Sequence, residues 1–192
     1  DGAICRRGAS ARARREVCDM IVGFGVLLLL ALAGLGRDGR GLPLYGLVCA
    51  FAGATVCGGL LALLTSIALI GLNIGAWIWL RRFAGHVPDR GAVLPVVGAL
   101  LLLLALGLSG ASLGLAPVLG AGAVLVGLCG AAFGPALVQF TGLLMAADGL
   151  IVMACVLQSW PFFAAAVALW GVLGALGMTL LPRLAWRRVE ET

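Results

Sequence analysis

Long uncharged apolar stretches alternate along the chain with short polar segments that contain glycine, proline or arginine. A membrane-spanning helix needs about 20 consecutive apolar residues, and the apolar stretches here have about that length. The pattern therefore predicts an all-α fold, a polytopic membrane helix bundle of about seven transmembrane helices. The predicted spans are Met20–Gly36, Leu42–Gly59, Leu61–Leu80, Ala92–Gly110, Leu115–Gly134, Ala136–Leu157 and Pro161–Leu181.

Two of the predicted boundaries depend on glycine and proline. The uncharged run from Leu42 to Leu80 is too long for one helix and long enough for two, with a tight turn at Gly58-Gly59. The fifth and sixth spans are expected to meet at Gly134-Pro135. Proline is tolerated in the first turn of a helix and breaks a helix interior, so it favours a new helix at this point.

Composition agrees with this pattern. The chain is 62% hydrophobic and 11% charged, with a mean hydropathy of +1.16, which leaves too little polar surface for a soluble domain. We expect residues 20–188 to form a single transmembrane domain within a lipid bilayer, followed by a C-terminal tail at 189–192. Little of the 192-residue chain remains for a soluble catalytic domain, and no cofactor, metal or nucleic-acid partner is predicted.

The distribution of arginine predicts an orientation. All thirteen basic residues are arginine. In the seven-span arrangement, the loops that connect spans on one side of the membrane contain none of them. Arginine-rich loops favour the cytoplasmic side, so the C-terminus of this multi-pass protein is predicted to be cytoplasmic. The arginines of the cytoplasmic face are Arg37, Arg40, Arg81, Arg82, Arg90, Arg183, Arg187 and Arg188.

Residues 1–19 form a basic tail for which two interpretations stay open. In one, Met20 is the natural start, and the tail is an upstream extension that is not part of the native chain. In the other, the tail is the basic region of a signal anchor or a lipid-binding arm. If the tail is native, a six-span arrangement with both ends cytoplasmic becomes more attractive, because five arginines lie in this segment.

Several motif-like features of the chain are expected to have structural roles. The match to GxGxxG at Gly34–Gly39 lacks the strand that a dinucleotide site requires before it. Gly71-x-x-x-Gly75 and Gly130-x-x-x-Gly134 are spacings that let helix backbones approach closely. His86 is expected to be a solvated loop residue. The four cysteines within apolar segments are expected to be small packing residues: Cys49, Cys57, Cys129 and Cys155. The tryptophans are expected to be interfacial anchors: Trp77, Trp79, Trp160, Trp170 and Trp186.

Asp148 is the one ionisable side chain that this segmentation places in a membrane interior. An ionised aspartate at mid-span costs about 2.5 to 3.5 kcal/mol on insertion scales, so it should face the bundle or water, or be protonated. We therefore regard Asp148 as a candidate for proton handling. Two alternatives stay open: an Asp-Gly turn, and a protonated aspartate with a structural role. Asn73 and Gln139 are additional polar candidates inside predicted spans, either for interhelical hydrogen bonding or for lining a hydrated path.

The order of segments resembles a known family. RRFAGHVPDR follows an uncharged double span, then come a glycine-rich span, ALVQFTGLLMAADGLIVMACVLQSWP, and a last span ending in PRLAWRR. This order is similar to component E of hydrogenase-4 and to formate hydrogenlyase-type membrane subunits, which are related to the membrane arm of complex I. Members have seven spans, a Pro-acid-base turn entering the fourth, like Pro88-Asp89-Arg90 here, and Gly, an apolar run and Glu-Asn-Gly in the sixth, like Gly142–Gly149.

The chain departs from the family pattern at its charged positions. The family glutamate falls on Ala147, and Asp148 occupies the neighbouring asparagine position, about 100° around the helix. The lysine of the third span falls near Ala68, and the acidic residue of the last span has no counterpart.

The resemblance implies an accessory, non-catalytic subunit of a membrane oxidoreductase complex in a bacterial plasma (inner) membrane. Such a subunit helps to form or support a proton path beside antiporter-like subunits. Two further hypotheses stay open. The chain is a structural scaffold subunit without ion conduction, or it is a stand-alone small proton-coupled transporter. Inverted repeats and several converging polar groups at mid-depth would favour the transporter, and we find no convincing repeat.

Overall fold

The computed structural model describes residues 41–56, 58–82, 97, 115–132 and 136–190, and this part of the chain is helical. Its helices match the second, third, fifth, sixth and seventh predicted spans, which confirms the all-helical fold for these residues. The first and fourth predicted spans, apart from Val97, lie outside the described residues, so the count of seven stays a prediction. The five helices are α1 (Leu42–Val56), α2 (Gly59–Leu80), α3 (Leu115–Ala132), α4 (Ala136–Val156) and α5 (Trp160–Glu190).

Three of these helices are long and apolar enough to cross a membrane. They are α2, α4 and the segment Trp160–Pro182 of α5, while α1 and α3 contain shorter apolar helical segments. Helices of this length and composition belong in a lipid bilayer, because their outer surfaces cannot be hydrated favourably. The structure therefore indicates a membrane protein.

Glycine makes the joint between α1 and α2, as predicted. Gly58 precedes α2 with an extended backbone, and Gly59 begins the helix at φ +84, a left-handed conformation that favours glycine. α3 ends at Ala132 and α4 begins at Ala136, so the predicted break at Gly134-Pro135 falls between two helices.

The turn between α4 and α5 is closed by hydrogen bonds. Gln158 adopts φ 51, and both its backbone N–H and its side-chain Nε2 donate to the Cys155 carbonyl, at 3.1 and 2.9 Å. Ser159 N–H donates to the Ala154 carbonyl at 3.1 Å, and Ser159 Oγ accepts from Phe162 N–H at 3.4 Å. The bond from Ser159 N–H satisfies a carbonyl at the end of α4, and the bond to Ser159 Oγ satisfies an amide at the start of α5.

α5 is longer than the predicted last span. The apolar run ends at Leu181, whereas the helix continues through Pro182 to Glu190. Hydropathy marks the part of a helix that suits a bilayer and carries no signal for a charged helical extension beyond it, so the sequence pattern ended the element early.

α4 is the central helix of the described part. It packs against α1, α2, α3 and α5, and thirteen of its 21 residues are buried, compared with six of 22 in α2. The large side chains on the outer face of α2, such as Leu63, Ile67 and Ile74, are exposed. A span with one apolar face outward and one face in the bundle is typical of a helix at the lipid boundary.

Small residues bring α3 and α4 closest together. A Cβ atom at Gly127 would collide with the backbone of Met145 and Ala146, and one at Gly142 would collide with the backbone of Gly130 and Ala131. The predicted motif Gly71-x-x-x-Gly75 plays no such part, since a Cβ atom at either glycine would meet nothing within 4 Å in the described structure. The close approach expected at Gly71 and Gly75 is therefore not found there. Gly130, from the second predicted motif, does lie against Gly142 of α4, while Gly134 falls outside the described residues.

Candidate functional site

Asp148 lies in the interior of an unbroken helix. It is the thirteenth residue of the 21-residue α4, and neither Asp148 nor Gly149 interrupts the helix. The alternative of an Asp-Gly turn is therefore wrong. The side chain of Asp148 is 0% exposed.

Two side chains from other helices approach the Asp148 carboxylate. They are Asn73 of α2 and Trp170 of α5, both of which can donate hydrogen bonds. Neither meets the geometry of a hydrogen bond to Asp148. Within the described structure, both carboxylate oxygens, Asn73 Oδ1 and Trp170 Nε1 are buried without a hydrogen-bond partner. The donors and the carboxylate are thus assembled next to each other, and a small change in side-chain position would let them bond.

A third helix contributes Tyr45 and Cys49, which lie one turn apart on α1 and are close enough to Asp148 to interact with its charge. Both are 0% exposed. Tyr45 Oη donates a hydrogen bond of 2.6 Å to the Ala123 carbonyl of α3. This bond fixes the phenol beside the carboxyl and ties α1 to α3.

Local packing determines where Asn73 lies. Asn73 Nδ2 donates to the Leu69 carbonyl one turn earlier in α2, at 2.8 Å. On the other side, α1 presents Gly46, where an added Cβ atom would lie 2.6 Å from Asn73 Nδ2. The amide therefore occupies the space that a side chain at residue 46 would need.

No cation balances the carboxylate in the described part of the chain. The buried polar or charged side chains there are Thr65, Asn73, Thr141 and Asp148, and of these only Asp148 can carry a formal charge. Thr141 donates to the Val138 carbonyl at 2.8 Å. Thr65 Oγ1 is buried and unpaired, but it lies eight residues before Asn73, about 12 Å along α2. Neutral dipoles therefore make up the polar surroundings of Asp148.

The structure separates the three polar candidates from the sequence. Asp148 and Asn73 come together, whereas Gln139 is exposed on α4 and faces away from the cluster. Gln139 precedes Asp148 by nine residues, which corresponds to about half a turn of net rotation around the helix. The two side chains therefore lie on opposite faces of α4.

The sequence pattern missed three members of the cluster: Tyr45, Cys49 and Trp170. Trp170 was expected to anchor at the membrane interface, and that prediction is wrong, because the ring is buried near the middle of the apolar part of α5. Its distance from both ends of the predicted span was the signal for an inward position. Tyr45 carries a comparable signal, as the one tyrosine of the chain lies in an apolar segment.

The remaining candidates are peripheral or fall elsewhere. Trp77 and Trp79 lie in the last turn of α2, and Trp160 is the first residue of α5, so these three occupy helix ends as expected. Cys49 and Cys155 are buried and Cys129 is half-buried, all as free thiols, in line with their expected packing role. The Gly34–Gly39 motif, Cys57 and His86 belong to segments that the structure does not describe.

The assignment of a site therefore depends on the convergence of α1, α2, α4 and α5 around one buried carboxyl group. Comparison of the chain with protein-family models, with curated proteins and with solved structures found no match.

Proposed function

We propose that this chain is an accessory integral membrane subunit of a redox-driven ion-translocating complex, of the hydrogenase-4-like or complex I-like kind, in which Asp148 takes up and releases a proton. The observation that carries the proposal is the burial of the Asp148 carboxyl in the central helix, among neutral donors and without a cation from the described part of the chain. The seven-span topology, the bacterial inner membrane and the cytoplasmic C-terminus are parts of the same proposal.

The surroundings of Asp148 suit a carboxyl group that changes its protonation state. Removal from water favours the protonated, neutral form, because an isolated charge in a span is expensive. Nearby N–H donors favour the ionised form, because hydrogen bonds to a charged acceptor are stronger than those to a neutral one. A permanent ion pair would fix the charge, whereas opposing effects of this kind keep both forms accessible.

A single carboxyl group favours a subunit over a complete transporter. The described part of the chain has one buried carboxyl group and no buried basic residue, and a proton path needs a donor before the site and an acceptor after it. We propose that antiporter-like neighbouring subunits supply these groups. The exposed apolar faces of α2 and α5 suit either such neighbours or lipid.

The proposal is tested by Asp148→Asn in the intact assembly, which keeps the side-chain shape and removes the exchangeable proton. We expect ion translocation per redox turnover to fall while electron transfer continues. Gln139→Leu is the matched control, since this residue lies on the same helix and is exposed. Unchanged translocation in the Asp148 variant would exclude a role for the carboxyl in proton transfer.

The close packing of α3 against α4 supports a second candidate, a scaffold subunit without ion conduction. Gly127 and Gly142 permit backbone contact, and this contact positions the face of α4 that packs into the bundle. A scaffold predicts that Asp148→Asn leaves translocation unchanged, while a side chain at Gly127 or Gly142 disrupts assembly of the complex. The same pair of measurements thus separates the two candidates.

A further inference from the structure

The indole N–H of Trp170 approaches the Asp148 carboxyl and has no other acceptor among the described residues. The ring is 7% exposed in the interior of α5, and Nε1 has no hydrogen-bond partner in the described structure. Buried tryptophan usually finds an acceptor for this N–H, and a phenylalanine would fill apolar space without the cost of burying a polar group. The group that Trp170 approaches is Asp148.

Asn73 presents a second donor from a different helix. Its amide group carries two N–H hydrogens, and the bond from Nδ2 to the Leu69 carbonyl uses one of them. The other remains for the carboxyl that Asn73 approaches. Gly46 leaves the space that the amide occupies in this position.

We infer that Trp170 and Asn73 are positioning residues for Asp148: their N–H groups converge from α5 and α2 to stabilise the carboxylate that remains after its proton leaves. This inference rests on the proposed function and deepens it, because it says how the site holds a negative charge without a cation from the described helices. Hydrogen bonds to charged groups are stronger than those to neutral groups. Each donor should therefore favour the ionised form by about tenfold or more.

The other groups that lie near Asp148 on the described helices do not provide a positive charge. α1 contributes the titratable side chains Tyr45 and Cys49, which are neutral when protonated. The Tyr45 hydroxyl donates its hydrogen to the Ala123 carbonyl of α3. The two N–H donors are thus the groups on these helices that suit a negative charge.

The test observes the Trp170 N–H directly. The full chain, labelled with ¹⁵N in its indole rings, is placed in lipid nanodiscs and followed by NMR across pH, and Trp170→Phe assigns one signal among those of the five tryptophans. We expect the Trp170 signal to change with pH together with the infrared band of the Asp148 carboxyl, and to lose this response in Asp148→Asn. The Trp160 signal is the control within the same helix, because that ring is 49% exposed at the start of α5.

Two matched variants measure the size of the effect. Trp170→Phe and Asn73→Ala should each shift the protonation equilibrium of Asp148 about tenfold or more toward the protonated form, whereas Trp160→Phe and Gln139→Ala should not. If the carboxyl titrates but its Trp170 partner shows no response, or if Trp170→Phe behaves like Trp160→Phe, the inference is overturned and the proposed function stands. If Asp148 does not titrate at all, both are overturned. If Trp170→Phe does not fold, single phenylalanine variants of the other four tryptophans assign the Trp170 signal by elimination, and its response in Asp148→Asn remains decisive.

Discussion

Gly46 of α1 and Asn73 of α2 are in such close contact that a Cβ atom at residue 46 would lie 2.6 Å from Asn73 Nδ2 and 2.8 Å from its Cβ and Cγ atoms. The contact holds the Asn73 amide beside Asp148. The first prediction follows from it: Gly46→Ala should displace the amide and destabilise the fold by about 1 to 3 kcal/mol, the usual cost of overpacking. Unfolding of the purified protein in mixed detergent micelles measures this cost.

Gly53 provides the control on the same helix, since a Cβ atom there would lie 3.8 Å from Thr65 Cγ2, an ordinary contact. Gly46→Ala should also weaken proton handling to the same extent as Asn73→Ala. Equal stability and equal activity of the Gly46→Ala and Gly53→Ala variants would contradict the proposed positioning of Asn73.

The second prediction concerns the contact between α3 and α4. Gly127→Ala and Gly142→Ala should each destabilise the protein by about 1 to 3 kcal/mol or more, because the added methyl group meets backbone, which cannot move aside as a flexible side chain can. Gly71→Ala and Gly75→Ala in α2 are the controls and should be close to neutral, as a Cβ atom at either position would meet nothing within 4 Å in the described structure. Detergent unfolding followed by circular dichroism compares the four variants, and a similar cost at all four positions would refute the assignment of this interface.

The third prediction concerns the hydrogen bond that joins α1 to α3. Tyr45→Phe removes the 2.6 Å bond from Oη to the Ala123 carbonyl and should cost about 0.6 kcal/mol, the average for interhelical hydrogen bonds measured in a membrane protein. Thr179→Val is the comparison, because Thr179 donates to the Leu176 carbonyl of its own helix on an exposed face. If removing the tyrosine hydroxyl costs no more than removing the threonine hydroxyl, then the bond does not tie the two helices together.

The positions of the described helices could be predicted from the sequence, because burial in lipid requires long apolar runs whose ends are marked by glycine, proline and charge. Gly58-Gly59 is one such boundary. Asp148 could also be identified as a candidate site from the sequence, since a charged group in an apolar run is costly wherever the helix packs.

The neighbours of Asp148 could not be predicted in the same way. All faces of these spans are apolar, so hydropathy does not tell which face of α5 turns inward, and Trp170 was placed at the interface instead of in the bundle. Helical geometry could have separated Gln139 from Asp148, as nine residues place them on opposite faces. Pairing Asn73 with Asp148 required knowledge of how α2 packs against α4.

The central claim is that Asp148 exchanges a proton inside the bundle, and infrared difference spectroscopy of the full chain in lipid tests it most directly. Subtracting the Asp148→Asn spectrum from that of the unmodified protein isolates one carboxyl group among the eight acidic residues. We predict a protonated carboxyl C=O band at neutral pH that shifts in D₂O and is lost as the pH rises. A difference spectrum without a C=O band that changes between acidic and alkaline pH would contradict the claim.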